Sequence, residues 1–388
     1  MYQHLYSRFI AANPKRQHFA CHSHYFWPDV TREAHMQYWD DTASYVDDKW
    51  GYFFQTCIPQ VQQKIAAVLN VPAPDQIVFA PNTHELLYRI LSCLPTDKTL
   101  NVLTTDSEFH SFSRQIARLE ESARVKVTRV TSAPYADFST RMIAEINNND
   151  FDLVFFSQVF FNSGVVVDDV EAIVSAVTNP ETLVVVDGYH GFMAKPTDLS
   201  QITQRAFYLA GSYKYAQGGE GACFAVVPEG CELRPEYTGW YAEFGELSAA
   251  KTGEVKYSKN GMRFAGATMD FSAIYRLLAV LNLFEQEGLT VEKINRYIQS
   301  CQQAFLAYLD ELQHPLINRD ALLCRDLDEH GHFLTFELPD ADVAGQLHDH
   351  LAEHGVLTDY RGNRLRFGFA LYHVPEQYDL SCLAGEPR

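Results

Sequence analysis

The sequence predicts an α/β fold, with a large domain built on a mainly parallel sheet covered by helices and a smaller C-terminal α/β domain. Three observations support this. The 388 residues are 47% hydrophobic, which is enough to bury a large core in about two domains. Short apolar runs alternate with helical patterns through most of the chain. After Thr268 this alternation stops, and two long helical patterns come first.

The large sheet is predicted from apolar runs that are rich in β-branched and aromatic residues. These runs are residues 77–80, 100–104, 125–130, 153–156, 183–186, 206–210 and 223–227. Helical patterns lie between them, for example at residues 60–69 and 112–121. The smaller unit is predicted to contain helices at 271–287, 291–312 and 343–354 and strands at 332–337 and 365–370.

Composition excludes several classes of function. The formal charge of −18 argues against a nucleic-acid partner, because phosphate backbones require clustered Lys and Arg. The sequence has no run of about 18 apolar residues that could span a membrane. The first residues lack the apolar core of a secretory signal, so we expect a cytoplasmic protein.

Cysteine and histidine spacing predicts no metal site. The eight cysteines form no Cys-x-x-Cys pair, and we expect them to be reduced and mostly structural. Two histidine clusters were considered, His22 with His24 and His348 with His350. The second pair lies two residues apart on a predicted helix, so its side chains point to different faces.

Lys214 and Asp187 form the most informative pair in the chain. Lys214 lies in a glycine-rich segment that follows the predicted strand 206–210, and Asp187 ends the apolar run 183–186. Open α/β sheets bind their ligands at such strand ends. A pyridoxal-phosphate (PLP) enzyme needs an amine to form a Schiff base with the cofactor and a carboxylate to keep the pyridine nitrogen protonated. The pair therefore predicts a PLP site.

Several segments resemble the class V branch of the fold-type I PLP enzymes. They are Asp187 to His190, Ser212 to Tyr215, Gly239 to Tyr241 and Arg263 to Thr268. Within this branch the segments around Tyr213 and Trp240, and residues 156–164, are most similar to kynureninase. The resemblance runs from about Phe19 to Tyr372.

The resemblance implies a domain layout and an assembly. Residues 1–50 form an N-terminal arm that joins the small domain, residues 51–264 form the large PLP-binding domain, and residues 265–388 form the small C-terminal domain. The enzyme is expected to be a homodimer with active sites shared between chains. Trp240 and Thr268 would then contact the cofactor phosphate of the neighbouring subunit.

The resemblance also implies cofactor contacts within one chain. Thr83 and His84 begin a predicted helix after a strand, where backbone N–H groups can hold the phosphate, with Thr83 as the expected cap. Tyr213 is expected to reach the same phosphate. Phe109 is expected to stack on the pyridine ring, with His110 as the alternative.

Three further residues complete the expected site. Gln158 would lie near the phenolic oxygen of the cofactor, and His190 would orient Asp187 or Lys214. Arg366 matches the C-terminal arginine that binds the α-carboxylate of the substrate, because a guanidinium offers a planar fork to a carboxylate. Arg361 remains an alternative for this role.

The sequence favours a PLP-dependent enzyme acting on an α-amino acid and leaves its reaction open. A class V aminotransferase and a kynureninase-like hydrolase that cleaves a Cβ–Cγ bond both fit. The chain departs from kynureninase at Gly266, where an Asn is usual, and at His22 to Tyr25. A cysteine desulfurase is less favoured because no cysteine lies between Cys324 and Cys382. A PLP-binding regulator that is not an enzyme is disfavoured, since no DNA-binding appendage is present.

Overall fold

The structure, a computed structural model, describes residues 2–246 and 253–384, without the side chains of residues 245 and 246. Its helices in chain order, α1 to α11, are Ser7–Ala12, Val30–Tyr45, Lys49–Tyr52, Ile58–Leu69, Thr83–Leu91, His110–Glu121, Phe138–Asn148, Val170–Ala176, Ser272–Gln286, Val291–Leu312 and Ala341–Glu353. Its strands in chain order, β1 to β12, are Gln17–His18, Ile77–Ala80, Leu100–Thr105, Val125–Val130, Leu153–Ser157, Leu183–Asp187, Phe207–Gly211, Cys223–Val226, Phe333–Glu337, Val356–Leu357, Asp359–Arg361 and Arg364–Gly368.

A seven-stranded sheet forms the centre of the large domain, in the order β2-β8-β7-β6-β5-β3-β4. Strands β3 to β7 pair in parallel, whereas β8 runs antiparallel to both of its neighbours, β7 and β2. Most side chains of the central strands are buried on both faces, as expected of a sheet covered by helices. The prediction of an α/β fold with a mainly parallel sheet is confirmed.

The chain termini meet in a second, smaller unit. Strands β11, β12 and β9 form an antiparallel sheet, and the short strand β1 pairs in parallel with β10. Helix α2 packs against α9. The N-terminal arm therefore contacts C-terminal elements, and the domain limits at residues 50 and 264 stay predictions.

The predicted elements agree closely with the structure, but several elements were not predicted, among them helix α2 and strands β1, β10 and β11. The sequence of helix α2 is mostly polar, and the helix is largely exposed, with no clear apolar periodicity. Strand β11, and with it the hairpin to the predicted strand β12, was missed although the two loop residues, Gly362 and Asn363, are typical of a tight hairpin turn. Gly362 adopts a φ of 55°, a left-handed value that glycine accommodates without strain.

Within residues 2–246 and 253–384, no helix is both long and apolar enough to cross a membrane.

Candidate active site

The sheet topology brings the two central residues of the prediction to one edge. Asp187 is the last residue of β6, and Lys214 follows the end of the neighbouring parallel strand β7. Both line a cavity of about 610 Å³ at the carboxyl ends of the parallel strands. Residues from the N-terminal arm and from β11 and β12, including His22, Asp359 and Arg366, close its other side.

Lys214 is buried, and its ammonium form is destabilised. Burial, and next the charge of Arg366, lower the pKa of Lys214 to about 7. The lysine Nζ lies in hydrogen-bond contact with Nε2 of His190. The centroids of the Phe109 and Tyr189 rings each lie 5.8 Å from Nζ. The lysine is therefore a buried amine that can lose its proton near neutral pH.

His190 is held neutral next to this lysine. Burial, followed by the charge of Lys214, lowers the pKa of His190 well below its usual value. Its Nδ1 atom is buried and has no hydrogen-bond partner among the described residues. Of the two roles expected for His190, the structure shows the contact with Lys214.

Asp187 is a buried carboxylate facing the cavity. It accepts a hydrogen bond of 2.9 Å from the backbone N–H of Tyr189. Burial raises the pKa of Asp187 to about 6, against the lowering effects of this hydrogen bond and of Lys214. A cationic group in the cavity would stabilise the ionised form, and a protonated pyridine nitrogen supplies such a group. The residue fits the role expected for it at a PLP ring.

A second buried carboxyl group supports the floor of the cavity. Glu108 accepts hydrogen bonds from the hydroxyl groups of Ser157, at 2.5 Å, and Thr105, at 2.6 Å. Burial raises the pKa of Glu108 to about 7. Ser157 pairs in register with Asp187 on the next strand and itself lines the cavity. Sequence reasoning missed Glu108 because nothing in its spacing indicated burial.

The start of helix α5, where the phosphate cradle is expected, lies at the cavity. Thr83 and Asn82 both line the cavity, and the first N–H groups of a helix lack intrahelical acceptors. The cap is Asn82 rather than Thr83, because its side-chain oxygen accepts from the N–H of Glu85 at 2.8 Å. The side chain of His84 points away, where Gln115 contacts its Nδ1 at 2.6 Å. Only the backbone of His84 is then available to a phosphate.

The structure distinguishes between the aromatic candidates at the ring face. Phe109 lines the cavity and His110 does not. Tyr213 also lines the cavity, with its ring 5.3 Å from that of His24. Tyr189 was not predicted, yet its ring lies as close to the Nζ atom of Lys214 as the ring of Phe109 does.

Gln158 does not reach the cavity. Its neighbour Ser157 faces inward, and successive side chains point to opposite sides of an extended chain. The side-chain amide of Gln158 instead donates to Thr197 and accepts from the Tyr208 hydroxyl, both at 2.8 Å. The expected contact with the phenolic oxygen of the cofactor is therefore not supported by this structure.

Trp240 and Thr268 lie together but outside the cavity of their own chain. The indole N–H of Trp240 donates to the Thr268 hydroxyl at 3.2 Å, and Thr268 is exposed. Neither residue is among those that line the cavity. Their predicted role at the site of a neighbouring subunit stays a prediction.

Arg366 lies in the cavity wall but is already paired. Its Nε donates to Asp359 Oδ1 at 2.6 Å, Nη2 contacts the same carboxylate, and Nη1 donates to the carbonyl of Phe161. Asp359 also accepts from the Ser23 hydroxyl at 2.9 Å. Arg361, the alternative, lines the same cavity with an Nη2–Oδ2 distance of 3.6 Å to Asp359.

Asp359 is the residue of this cluster that sequence reasoning missed. Burial by itself would raise its pKa, but the interactions with His22 and Arg366 outweigh burial and hold the pKa far below the usual value. Asp359 is ionised at any neutral pH as a result. A signal was available in the sequence, since the tight Gly-Asn turn places residue 359 opposite Arg366.

Comparison with known proteins agrees with this site. The model of the aminotransferase class-V family matches residues 28–359. A cysteine desulfurase of Pectobacterium atrosepticum is 23% identical over 314 residues, which cover 79% of this chain and 71% of that protein. These relationships place the chain in a family of PLP-dependent enzymes.

Solved structures show the same fold. The apo cysteine desulfurase of Thermococcus onnurineus superimposes with a TM-score of 0.76 at 17% identity, over 95% of this chain and 92% of that one. The protein C-DES with glycine covalently linked to its PLP cofactor gives 0.77 at 20% identity, over 94% of each chain. C-DES, named a cystine C-S lyase in its complex with cysteine persulfide, gives 0.74 at 19% identity, over 92% and 94%.

These comparisons confirm the PLP expectation and correct the finer one. The relatives found are cysteine desulfurases and a C-S lyase, so the similarity to kynureninase, and with it the hydrolase interpretation, is not supported. The chain belongs to the aminotransferase class-V family of fold-type I, PLP-dependent enzymes.

Proposed function

We propose that this protein is a PLP-dependent enzyme that removes the α-proton of an α-amino acid, with Lys214 as the base. The observation that carries the proposal is the shared cavity of Lys214 and Asp187. PLP, when bound, supplies a covalent anchor for the amino group and an electron sink for the electrons left on Cα. The fold alone would not support this, because one fold hosts many functions.

The residues of the chain divide the task of holding this cofactor. Asp187 would hold the pyridine nitrogen, and the N-terminus of α5 with Asn82, Thr83 and the hydroxyl of Tyr213 would hold the phosphate. Phe109 would pack against one face of the ring. Each of these residues lines the cavity, which is the fit that the proposal requires.

Lys214 is suited to act as the general base that takes the α-proton of the substrate. A general base is most effective when its pKa lies near the working pH, and burial brings the pKa of this lysine to about 7. The proton taken from Cα would reside on Nζ. His190, in contact with Nζ and kept neutral, restrains the position of the amine without adding a charge to it.

The geometry argues against desulfuration through an enzyme thiolate. Such chemistry needs a reactive thiol that can reach the substrate. The loop between β11 and β12, next to the arginines of the cavity, consists only of Gly362 and Asn363 and so carries no cysteine. Cys223 is the one cysteine among the residues lining the cavity. Its sulfur lies 3.4 Å from the Tyr189 hydroxyl, and burial raises its pKa to about 12. A thiol with this pKa is almost entirely protonated at neutral pH.

We therefore favour elimination from a β-substituted amino acid such as cysteine or cystine. The names of the relatives, cysteine desulfurase and cystine C-S lyase, refer to reactions of sulfur-containing amino acids. Elimination needs the lysine base but no enzyme thiol. For cysteine, Lys214 takes the α-proton, the Cβ–S bond breaks and the sulfur leaves with the bonding electron pair. Uptake of one water then gives pyruvate, ammonia and hydrogen sulfide. Transamination is the second candidate, because the matching family model is that of class V aminotransferases.

The arginines of the β11–β12 hairpin bind the substrate carboxylate in this proposal, and the charges favour Arg361. The guanidinium of Arg366 is neutralised by Asp359, so a carboxylate arriving there would meet the charge of Asp359 as well. The Arg361 side chain is 51% exposed, compared with 3% for Arg366, and so can move to meet a substrate. Arg361, Arg366 and Asp359 together carry one net positive charge, which matches the single negative charge of one substrate carboxylate.

Product analysis tests the reaction class. The PLP-loaded protein would be incubated with L-cysteine and L-cystine, with and without a 2-oxo acid, and the products quantified by mass spectrometry. Elimination predicts pyruvate and ammonia in equal amounts without a 2-oxo acid, and no loss in Cys223→Ser. Alanine with a persulfide on the enzyme would contradict it, and turnover only with a 2-oxo acid would select transamination. Lys214→Ala is the control for reactions of free PLP.

A further inference from the structure

The C-terminal end of helix α11 carries a cluster whose residues are not among those that line the active-site cavity. His350 and His354 lie one helical turn apart on α11 and its C-cap, and Cys382 belongs to a short 3-10 helix, Ser381–Leu383. One ring nitrogen of each histidine and the sulfur of Cys382 all lie within 4.8 Å of one another. Two imidazoles and a thiolate form a donor set that Zn²⁺ and related cations prefer.

The hydrogen bonds of both histidines have the pattern of metal ligands. Nε2 of His350 lies 2.9 Å from the carbonyl oxygen of Cys382, and Nδ1 of His354 lies 2.8 Å from the carbonyl oxygen of His350. A carbonyl oxygen only accepts, so each ring donates through that nitrogen. In a neutral ring, a cation would bind through the other nitrogen. Metal-binding histidines commonly donate their second N–H to a backbone carbonyl in this way, which fixes the tautomer and the ring orientation.

We propose that His350, His354 and Cys382 form a site for Zn²⁺ or a similar borderline divalent cation. The fourth position of a tetrahedral ion would be open to water. The sequence prediction of no metal site rested on the cysteine spacing and on His348 and His350, which are expected on different faces of the helix; in the structure His348 contacts Thr358 and does not belong to the cluster. The additional ligands are His354, at the i+4 spacing that shares a face, and Cys382, which only folding brings near.

The site would hold the C-terminal segment against α11. A cation bound by the folded state alone stabilises it, and stabilisation grows with the logarithm of the free metal concentration. This consequence does not involve the PLP cavity, so the proposal stands or falls independently of the proposed reaction.

Metal titration of the PLP-loaded protein tests the site. We expect one Zn²⁺ per chain by native mass spectrometry, and Co²⁺ should produce a thiolate-to-metal charge-transfer band in difference spectra against the metal-free holoenzyme. Cys382→Ser should lose that band. Cys382→Ser and His354→Ala should both bind Zn²⁺ at least about tenfold more weakly, since even outer-shell partners contribute that much.

Two variants control for adventitious binding. His348→Ala removes a histidine on the other face of the same helix, and Cys324→Ser removes another partly exposed thiol. Both should keep the stoichiometry, the band and the zinc-dependent rise in melting temperature. The proposal is overturned if wild type binds no zinc at micromolar concentration, if Cys382→Ser keeps the cobalt band, or if Cys324→Ser removes it.

Discussion

At the residue scale, the account depends on charges that burial has shifted. Lys214, Asp187 and Glu108 are all buried ionisable groups beside one cavity, and burial is the largest cause of the pKa shift in each. Such clusters are typical of functional sites, because a protein folds around them only at a cost in stability. In the proposed function, the cofactor nitrogen and the substrate carboxylate would supply the charges that complete this cluster.

The first prediction concerns Asp187→Asn. The variant should bind PLP but exchange the substrate α-proton with solvent about 10²–10³-fold more slowly, because a preorganised charge that stabilises the developing carbanion is lost. Exchange into deuterated water, followed by mass spectrometry of the recovered amino acid, measures this rate. Near-normal exchange in a variant that still binds PLP would remove Asp187 from the mechanism.

The second prediction separates the two arginines. Arg361→Gln should abolish the preference for an amino acid over the corresponding amine without a carboxylate, measured as the ratio of their dissociation constants from cofactor absorbance. The double variant Asp359→Asn with Arg366→Gln should keep this preference, because it removes a buried pair that is neutral overall.

Arg364→Gln is the matched control for this series. Arg364 pairs opposite Arg361 in the same hairpin, but its side chain does not line the cavity. It should leave both dissociation constants unchanged. If instead the double variant loses the preference and Arg361→Gln keeps it, Arg366 is the carboxylate ligand and the present assignment is wrong.

The sequence could predict residues whose role follows from spacing along the chain. Lys214 and Asp187 lie at strand ends, and strand ends of a parallel sheet meet at one edge. The pairing of Asp359 with Arg366 follows from the register that the Gly-Asn turn sets, and it was missed, whereas the burial of this pair beside the cavity depends on tertiary packing. The contact of Gln158 with the cofactor is not supported by the structure, because the direction of its side chain depends on where β5 ends.

At the scale of elements, helix α5 begins at the cavity. Asn82 caps the helix and lines the cavity, so we predict that its side chain contributes both to stability and to cofactor binding. Most predicted elements agree with the structure because their apolar residues follow the period of a helix or strand. The missing helix α2 shows the limit, since a polar helix held by tertiary packing against α9 leaves little periodic signal.

The third prediction compares two helix caps. Asn82→Ala should lower the free energy of unfolding by about 1 kcal/mol and weaken PLP binding, because the first turn that faces the phosphate loses its order. Asp340→Ala removes an equivalent cap, from α11, where Asp340 accepts from the N–H of Val343 at 2.8 Å. It should carry a similar stability cost and leave PLP affinity unchanged. Equal PLP affinities in the two variants would contradict the cradle assignment.

At the scale of the whole molecule, the cavity joins parts of the chain that are far apart in sequence. The N-terminal arm supplies His22 to His24, the large sheet supplies Asp187 and Lys214, and the C-terminal hairpin supplies Arg361. Trp240 and Thr268 remain outside it and contact each other, and Thr268 is exposed. We therefore keep a homodimer with shared sites as a prediction.

The fourth prediction tests that assembly by complementation. Lys214→Ala chains mixed with Thr268→Ala chains should recover activity, because one site in each mixed dimer combines an intact lysine with an intact threonine from the other chain. Thr268→Ala must be impaired by itself, and the mixed dimers are counted by native mass spectrometry. Mixed dimers with no more activity than their parents would show that each site is built within one chain.

The measurement that tests the central claim most directly is the identity of the residue that carries PLP. Borohydride reduction of the holoenzyme, followed by proteolysis and peptide mapping, should find the cofactor on Lys214, and Lys214→Ala should carry no label and lose turnover. The account requires this result because Lys214 is the one lysine among the residues that line the described cavity. A label on a different lysine, or turnover by Lys214→Ala, would contradict the assignment of this cavity as the active site.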